Sequence, residues 1–446
     1  MSAIPFLRHR DRSAVVAWRG DRALRVGDFL SDLAAVAAAL PDRRFVVNLC
    51  ADRYRFAVGL AAALLREQVS LLPPAHGPEL LRLLDQRYPG LYALSDGGAD
   101  ADVIETIDYP TTGVTGPGVQ MPAFAASREA AIAFTSGSTG EPTAHPKSWG
   151  MLALGAAQGA QCLGLSGAVG IALVGTVPPQ HMYGLEATVL LAVQNGLALH
   201  AARPFYPADI RLALEQVPEE RVLVTTPVHL RALLAEEKNL PRLRLILCAT
   251  APLSAEKAAE AEARYSAPVH EIFGSTEAGM VATRRTTQGP LWHALPGVRL
   301  WRDRDGVRVG GGHVQSAVGF TDLIELEDAH TFLLQGRGAD LVNIAGKRSS
   351  LAYLNQQLLA IAGVEDGVFF MPDEQPDGVT RLMAFVVAPR LSREGLMSAL
   401  RACIDPAFLP RPLYYVDALP RAATGKLARE ALTRLAQAAH KPGRVA

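Results

Sequence analysis

The sequence predicts an α/β protein: a large N-terminal domain of doubly wound sheets flanked by helices, then a small α+β domain. Three observations carry this. The 446 residues exceed what one compact domain usually holds. The first hundred alternate short apolar runs with segments of helical periodicity, the pattern of parallel β-α-β units. The texture changes to closely spaced strands and turns after about Gly289, and again after Arg337.

In chain order, SAVVAWRG (13–20) reads as a strand and VGDFLSDLAAVAAAL (26–40) as a helix. FVVNL (45–49) is the next strand and YRFAVGLAAALLRE (54–67) the next helix. VSLLPP (69–74), a helix near Glu79 to Gln86 and LYALS (91–95) complete the first set. The theme returns with IALVGTVPP (171–179), a helical GLEATVLLAVQNG (184–196), LALHAA (197–202), RVLVTTP (221–227) and RLILCAT (244–250). Such strands are buried on both faces, which explains their unbroken apolar character. Short strands with turns follow in 297–312 and 319–336. Beyond Arg337, DLVNIAG, two helices (351–363, 393–404) and the strands in 364–371, 381–389 and 412–420 form a unit of about a hundred residues. The domains expected are 1–337 and 338–446, joined by a tight hinge near 336–340.

Composition removes several function classes. Apolar residues make up 49% and charged residues 20%, and 44 basic side chains balance 44 acidic ones. A net charge of zero argues against a nucleic-acid partner. Cys50, Cys162, Cys248 and Cys403 lie far apart with no C-x-x-C pair, so neither a thiolate metal site nor a disulfide framework is expected. The first 25 residues show no signal peptide, and the most membrane-like run, 163–179, is too short and glycine-rich to span. The expectation is a soluble cytoplasmic protein. Only six of the basic residues are lysines, so a lysine inside a glycine-bearing loop stands out.

Four motifs carry chemistry. AIAFTSGSTGEPTAHPKSW (131–149) is neither a Walker loop, since Pro146 precedes Lys147, nor a nucleophile elbow, since Ser136 stands where a glycine is required. A strand followed by T-S-G-S-T-G can instead wrap phosphates with amides and hydroxyls, Gly137 and Gly140 allowing close backbone approach. The plainer reading is an ordinary turn. In HEIFGSTEAGMV (270–281), Glu277 suits a hard cation beside phosphates and Phe273 could lie against a purine; otherwise Glu277 caps a helix starting near Ala278. Asp322 and Arg337, fifteen residues apart, can hold two vicinal ribose hydroxyls or form a simple surface pair. Lys426, after a Thr-Gly turn, is the best candidate for a mobile positive charge at a reacting group, the alternative being a solvated helix-start lysine.

In this order the motifs resemble the adenylate-forming superfamily: acyl-CoA synthetases, adenylation domains of peptide synthetases and luciferase. The likeness rests on FTSGSTGEP (134–142), IFGSTEAG (272–279), LPGVRL (295–300), FTDL (320–323), GRGAD (336–340), GKR (346–348) and TGK (424–426). It implies ATP and Mg²⁺, a carboxylic acid activated to an acyl-adenylate with loss of pyrophosphate, and transfer to a thiol of CoA or of a carrier protein's phosphopantetheine. By the resemblance, Thr135, Ser136, Gly137, Ser138, Thr139 and Gly140 cradle the β- and γ-phosphates. Thr276 and Glu277 serve the α-phosphate and Mg²⁺. Thr250, Ala251 and Pro252 with Phe273 and Gly274 flank adenine, and Asp322 and Arg337 hold the ribose. The small domain is mobile: it brings Lys426 to the carboxylate and phosphate in one pose and Gly346, Lys347 and Arg348 to the site in a second, thiolating pose.

The acyl pocket is implied to be lined by TVPPQHMYGLE (176–186), with His181 at its mouth and Met182, Tyr183 and Gly184 behind. Amino-acid-activating members carry an aspartate after the aromatic of this segment. Met182 or Tyr183 occupies that area here, which favours a flat or acyl group. PPQHMYGLE together with HPKSW resembles stand-alone ligases that load aryl acids in bacterial aryl-polyene and xanthomonadin-type pigment pathways. The alternatives are an amino-acid-activating or luciferase-like enzyme, or a catalytically silent nucleotide-binding relative. The sequence also departs from the pattern. Thr143 stands where the family has lysine after the phosphate-loop proline, Thr321 precedes Asp322 where glycine is usual, and Ala339 occupies the hinge position. Lys147 either reaches back to the γ-phosphate or leaves the loop to backbone and hydroxyls, the second being expected.

Overall fold

The computed structural model describes residues 3–73, 75–97, 103–110, 120–136, 142–218, 220–337, 341–344, 347–372, 381–422, 425 and 427–440. The parallel sheets expected from the alternation are both present. One has six strands in the order Pro142–Ser148, Glu129–Ser136, Val69–Leu72, Phe45–Asn48, Tyr92–Ser95, Thr106–Asp108. All neighbours in it are parallel except the first pair, an antiparallel hairpin. Strand Pro142–Ser148 carries two prolines and lies at the sheet edge, where a missing N–H costs no ladder bond.

The second sheet has eleven strands. Its centre is parallel: Val269–Ser275, Leu245–Cys248, Arg221–Thr225, Ala172–Gly175, Ala198–His200 and Val15–Arg19. Val15–Arg19, the first long strand of the chain, and its antiparallel edge neighbour Arg22–Arg25 thus cross to a sheet whose remaining strands begin at Ala172 or later. On the far side the sheet turns antiparallel through Gly279–Arg285, Leu291–Ala294, Thr331–Arg337 and Asp322–Leu326. A three-stranded sheet from Val298 to Gly319 packs beside it.

Helices Val26–Ala39, Arg53–Leu65 and Trp149–Cys162 supply much of the main core, with Phe6, Phe29 and Trp149 fully buried. Arg53 is buried inside that core and donates to the carbonyls of His200, Ala202, Gly175 and Val177 at 2.8–3.0 Å. A planar fork with five donors suits four converging carbonyls. This arginine therefore pins the helix after the strand of one sheet to the strand ends of the other.

The C-terminal unit holds a hairpin (Leu341–Ile344, Lys347–Ser350) and a sheet of Asp366–Phe370, Met383–Val387 and Leu413–Tyr415. Helices Leu351–Ala360, Arg393–Cys403 and Arg429–His440 accompany them, and the unit has its own apolar clusters, around Leu358 and around Phe385. No helix among the described residues is long and apolar enough to cross a membrane.

Candidate active site

Parallel α/β sheets bind ligands at the carboxyl ends of their strands. Here that edge carries Thr176 after strand Ala172–Gly175, Thr226 after Arg221–Thr225 and Thr250 after Leu245–Cys248. Thr250 has φ of 83°, a left-handed conformation that a β-branched side chain adopts only under strain costing about 1–3 kcal/mol. With half-buried Ala251 and exposed Pro252 it forms the segment expected beside adenine.

The helix Met182–Gly184 continues through a π-helical turn, Leu185–Leu190, into Leu191–Asn195. Half-buried His181 occupies its N-cap position. The Tyr183 hydroxyl lies 3.0 Å from Thr225 O and 3.1 Å from Leu247 O, so it ties the expected pocket helix to two strand ends. Gly184 is fixed as glycine by its surroundings. It is buried with its Cα against the Pro178 carbonyl, where a β-carbon would sit 1.9 Å from the oxygen.

Glu277 lies at the tip of a β-hairpin, strands Val269–Ser275 and Gly279–Arg285, rather than at the start of a helix near Ala278. The side chain is 36% exposed, so the tip presents a carboxylate to solvent with Thr276 beside it. Glu277 Oε1 lies 3.6 Å from His145 Nε2, and that nitrogen is 2.9 Å from Thr135 Oγ1. Thr135 and His145 stand on the two strands of the phosphate-loop hairpin, so two motifs 140 residues apart meet here. Burial holds the His145 pKa below its ordinary value, against the pull of Glu277. The imidazole is therefore mostly neutral at neutral pH.

Lys147 does not reach toward the loop. It is 1% exposed, and its ammonium donates to the Glu277 carbonyl at 2.5 Å. Around it lies a polar layer under the hairpin tip. Glu186 Oε1 accepts from Met280 N at 3.3 Å. His313 Nε2 contacts Ala278 O at 3.1 Å and its Nδ1 lies 2.8 Å from Gln158 Oε1. Burial lowers the Lys147 pKa, opposed by the charges of Glu186 and Glu277. Burial also pushes His313 down to about 4. None of His313, His145 or Gln158 was expected at the site from sequence, and Glu186 was expected only as the last residue of the pocket segment 176–186. For His145 the signal was available: it sits two residues from Thr143 and from Lys147, on one face of a strand.

Burial raises the Glu186 carboxyl to about 7, the Met280 N–H and Lys147 pulling the other way. The folded chain therefore holds this proton more tightly than the unfolded chain. The associated stability is present below the usual carboxylate range and is lost as pH climbs from about 4.5 past 7. The loss is on the order of 3 kcal/mol. We expect Glu186→Gln to flatten the pH dependence of the urea midpoint between pH 5 and 8, and an unaltered slope would show that Glu186 does not titrate in this window.

Phe273, expected beside adenine, is 9% exposed, and its ring centroid lies 5.2–5.7 Å from those of Trp292, Phe320 and Phe332. Strand alternation puts Val269, Glu271 and Phe273 on the inner face together. Gly274, next in sequence, is exposed, and its Cα closely faces the Gly279 carbonyl.

Asp322 and Arg337 are direct partners across an antiparallel hairpin. Their backbones therefore stand side by side, as a shared diol would require. The side chains of Ser136, Arg337, Lys347 and Arg348, and all of Gly137, Ser138, Thr139, Gly140, Gly346 and Lys426, lie outside the described residues. No group of three or more metal-ligating side chains occurs among the described residues. The single hairpin-tip carboxylate of Glu277 fits a cation that takes its remaining oxygens from phosphates and water, as Mg²⁺ does.

A fold of two doubly wound sheets whose strand-end edge carries the hairpin Glu129–Ser148 and the Glu277 tip points to the adenylate-forming class. The sequence profile of the AMP-binding enzymes matches residues 73–305, more than half of the chain, and the protein belongs to that family. A 4-coumarate–CoA ligase of Rhodobacter capsulatus is 29% identical over 300 residues, 66% of this chain and 74% of that one. Among solved structures, ATP-bound MatB from Rhodopseudomonas palustris superposes with a TM-score of 0.80 at 19% identity, covering 97% of this chain and 98% of that chain. O-succinylbenzoate Coenzyme A synthetase (MenE) from Bacillus subtilis, in complex with ATP and magnesium ion, gives 0.78 at 18% identity, covering 94% and 97%. At these identities the two structures speak for the fold.

Proposed function

We propose that this protein activates an aryl or other non-amino carboxylic acid with ATP and passes it to a thiol, CoA or the phosphopantetheine of a separate carrier protein. The observation that carries the reading is the meeting of the phosphate hairpin and the Glu277 tip through His145, 2.9 Å from one and 3.6 Å from the other. The likeness to a 4-coumarate–CoA ligase supports the aryl acid and CoA. So does the pocket segment, where Met182 and Tyr183 stand in place of an ammonium-binding aspartate. The resemblance of PPQHMYGLE and HPKSW to the pigment-pathway ligases supports the same substrate class.

The reaction brings a carboxylate to a polyphosphate, so positioning and charge compensation do most of the work. In this reading the backbone and hydroxyls of 135–140 hold the β- and γ-phosphates without a lysine, because Lys147 is engaged behind the Glu277 tip. Glu277 would hold Mg²⁺, which would supply neutralisation of the phosphate charge. Asp322 and Arg337 orient the ribose, Thr250 to Pro252 edge the adenine, and His181 stands at the acid's entrance. Lys426, carried by a small domain beginning near residue 338, bridges the carboxylate and the α-phosphate. Gly346 to Arg348 approach in the thiolating arrangement.

ATP–pyrophosphate exchange with 4-coumarate, 4-hydroxybenzoate, a medium-chain fatty acid and a set of amino acids tests the reading. Exchange driven most strongly by an aryl acid is expected, with thioester formed once CoA or a phosphopantetheinylated carrier is added. Exchange driven only by amino acids would overturn the substrate class. ATP binding without exchange for any acid would make the chain a silent nucleotide-binding relative.

A further inference from the structure

Among the described residues, a charged cluster that no active-site role accounts for joins the large N-terminal part of the chain to the C-terminal unit. Helix Pro227–Ala235 follows strand Arg221–Thr225, capped by the Thr226 hydroxyl, and places Val228 and Arg231 one turn apart on the same face. Arg231 Nη2 lies 3.7 Å from Asp366 Oδ1, at the first residue of a C-terminal-domain strand. Asp366 is already held within its own domain by Arg421, whose Nε and Nη2 donate to its two carboxylate oxygens at 2.7 Å each. Arg421 also donates from Nη1 to the Gly425 carbonyl at 2.8 Å and bridges by backbone to Leu427. Arg421 thus holds both Gly425 and Leu427. Gly425, at φ of 77°, sits against the large domain: a β-carbon there would lie 3.4 Å from both Thr226 Oγ1 and Val228 Cγ2. All three charged side chains are less than a fifth exposed.

The chain of contacts runs from strand end to Gly425 and back. Thr226 and Val228 seat Gly425, Arg421 braces it, Asp366 receives the brace, and Arg231 ties Asp366 to the helix that begins at the seat. Burial weakens the hold of Arg231 on its proton while Asp366 strengthens it. Asp366 thus offsets only part of the cost of withdrawing this guanidinium from water, so a charge-reversed side chain at the same place would have no compensation. We propose that Arg231, Asp366 and Arg421 form an interdomain latch that fixes Arg421 and Gly425 against the end of strand Arg221–Thr225. Arg231 is then a positioning residue for the acid-activating half-reaction. The role in catalysis rests on the function proposed above; the latch itself does not.

The geometry makes Arg231 the informative position. Removing it leaves the bidentate Arg421–Asp366 pair and the Arg421–Gly425 bond untouched, so the small domain keeps its own structure. Fluorescence energy transfer between dyes on the two domains reads the latch without any substrate. Arg231→Glu, which sets a carboxylate against Asp366, is expected to separate the dyes, Arg231→Ala to do so in part, and Arg231→Lys to restore the wild-type distance. With ATP and the acid that drives exchange, Arg231→Ala should lower the exchange kcat about fivefold to tenfold, with KM for ATP nearly unchanged. Transfer of preformed acyl-adenylate to the thiol should be preserved, which also shows that the variant folds. Arg244→Ala, which removes an exposed pair with Glu220 elsewhere on the large domain, is the control and should change neither reading. An unchanged dye distance in Arg231→Glu overturns the latch. An equal loss in both half-reactions overturns the positioning role. Absence of exchange in the unaltered protein overturns the proposed function instead, with the dye measurement still deciding the latch.

Discussion

Lys426→Ala is expected to lower acyl-adenylate formation by two orders of magnitude or more while leaving thiol transfer from preformed adenylate close to unaltered. The physical reason is the charge at the reacting centre. A carboxylate approaching an α-phosphate meets repulsion that must be compensated where it develops, and one well-placed cation or donor there is worth roughly 3 kcal/mol. The chain has few candidates: of its six lysines, Lys147 is buried behind the Glu277 tip. The turn that precedes Lys426 supplies the positional argument, since Gly425 packs against Thr226 and Val228 at the same strand-end edge as Thr250 and the Glu277 hairpin. Single-turnover formation of adenylate and its separate consumption by CoA would check this. Equal losses in both steps would mean that Lys426 serves substrate binding or folding, and that two distinct arrangements of the small domain are not needed to explain the chemistry. Lys426→Arg is a useful companion, because a planar fork does not replace a point charge in a tight site.

What could be read in advance was local. The alternation of apolar strands and helices names the doubly wound sheets, because period and length are properties of single segments. The pairing of Asp322 with Arg337 was within reach for the same reason: fifteen residues spanning one turn make a hairpin, and the register does the rest. Glu277 stood out as an acid among small residues. Contacts set by the meeting of distant strands were not legible. Val15–Arg19 joins the second sheet, and no periodicity within five residues carries that information. Arg53, just before the helix read at 54–67, is fully buried because four carbonyls from two remote segments converge on it. The aromatic packing of Phe273 was not read in advance although its signal was present. Apolar Val269 and Phe273 share a face by the period of two, and only buried Glu271 between them hides it. That carboxylate is held by the Arg284 guanidinium and the Thr286 hydroxyl. The fate of Lys147 depended on which hairpin lies under which, a property of the assembled fold.

Lys147→Met is expected to cost about 2–4 kcal/mol of stability at pH 8, and most of that loss should be absent from the double variant Lys147→Met/Glu186→Gln. Methionine keeps the length of the side chain, so packing around position 147 changes little. What is lost is a buried donor to the Glu277 carbonyl and the positive charge that helps Glu186 to ionise. With the lysine gone, Glu186 must either keep its proton further up the pH scale or carry an uncompensated charge in the core. The single variant should therefore lose more stability at pH 8 than at pH 5, whereas the double variant should show no such difference. Urea denaturation at the two pH values measures this, and the cycle of four proteins isolates the coupling. If the single and double variants are equally destabilised at both pH values, Lys147 acts through its hydrogen bond and its volume alone. Either outcome bears on the hairpin tip, because the carbonyl that Lys147 holds belongs to the residue whose carboxylate faces the phosphate hairpin. A tip released from below should widen the Glu277–His145 separation and slow adenylate formation more than it weakens ATP binding.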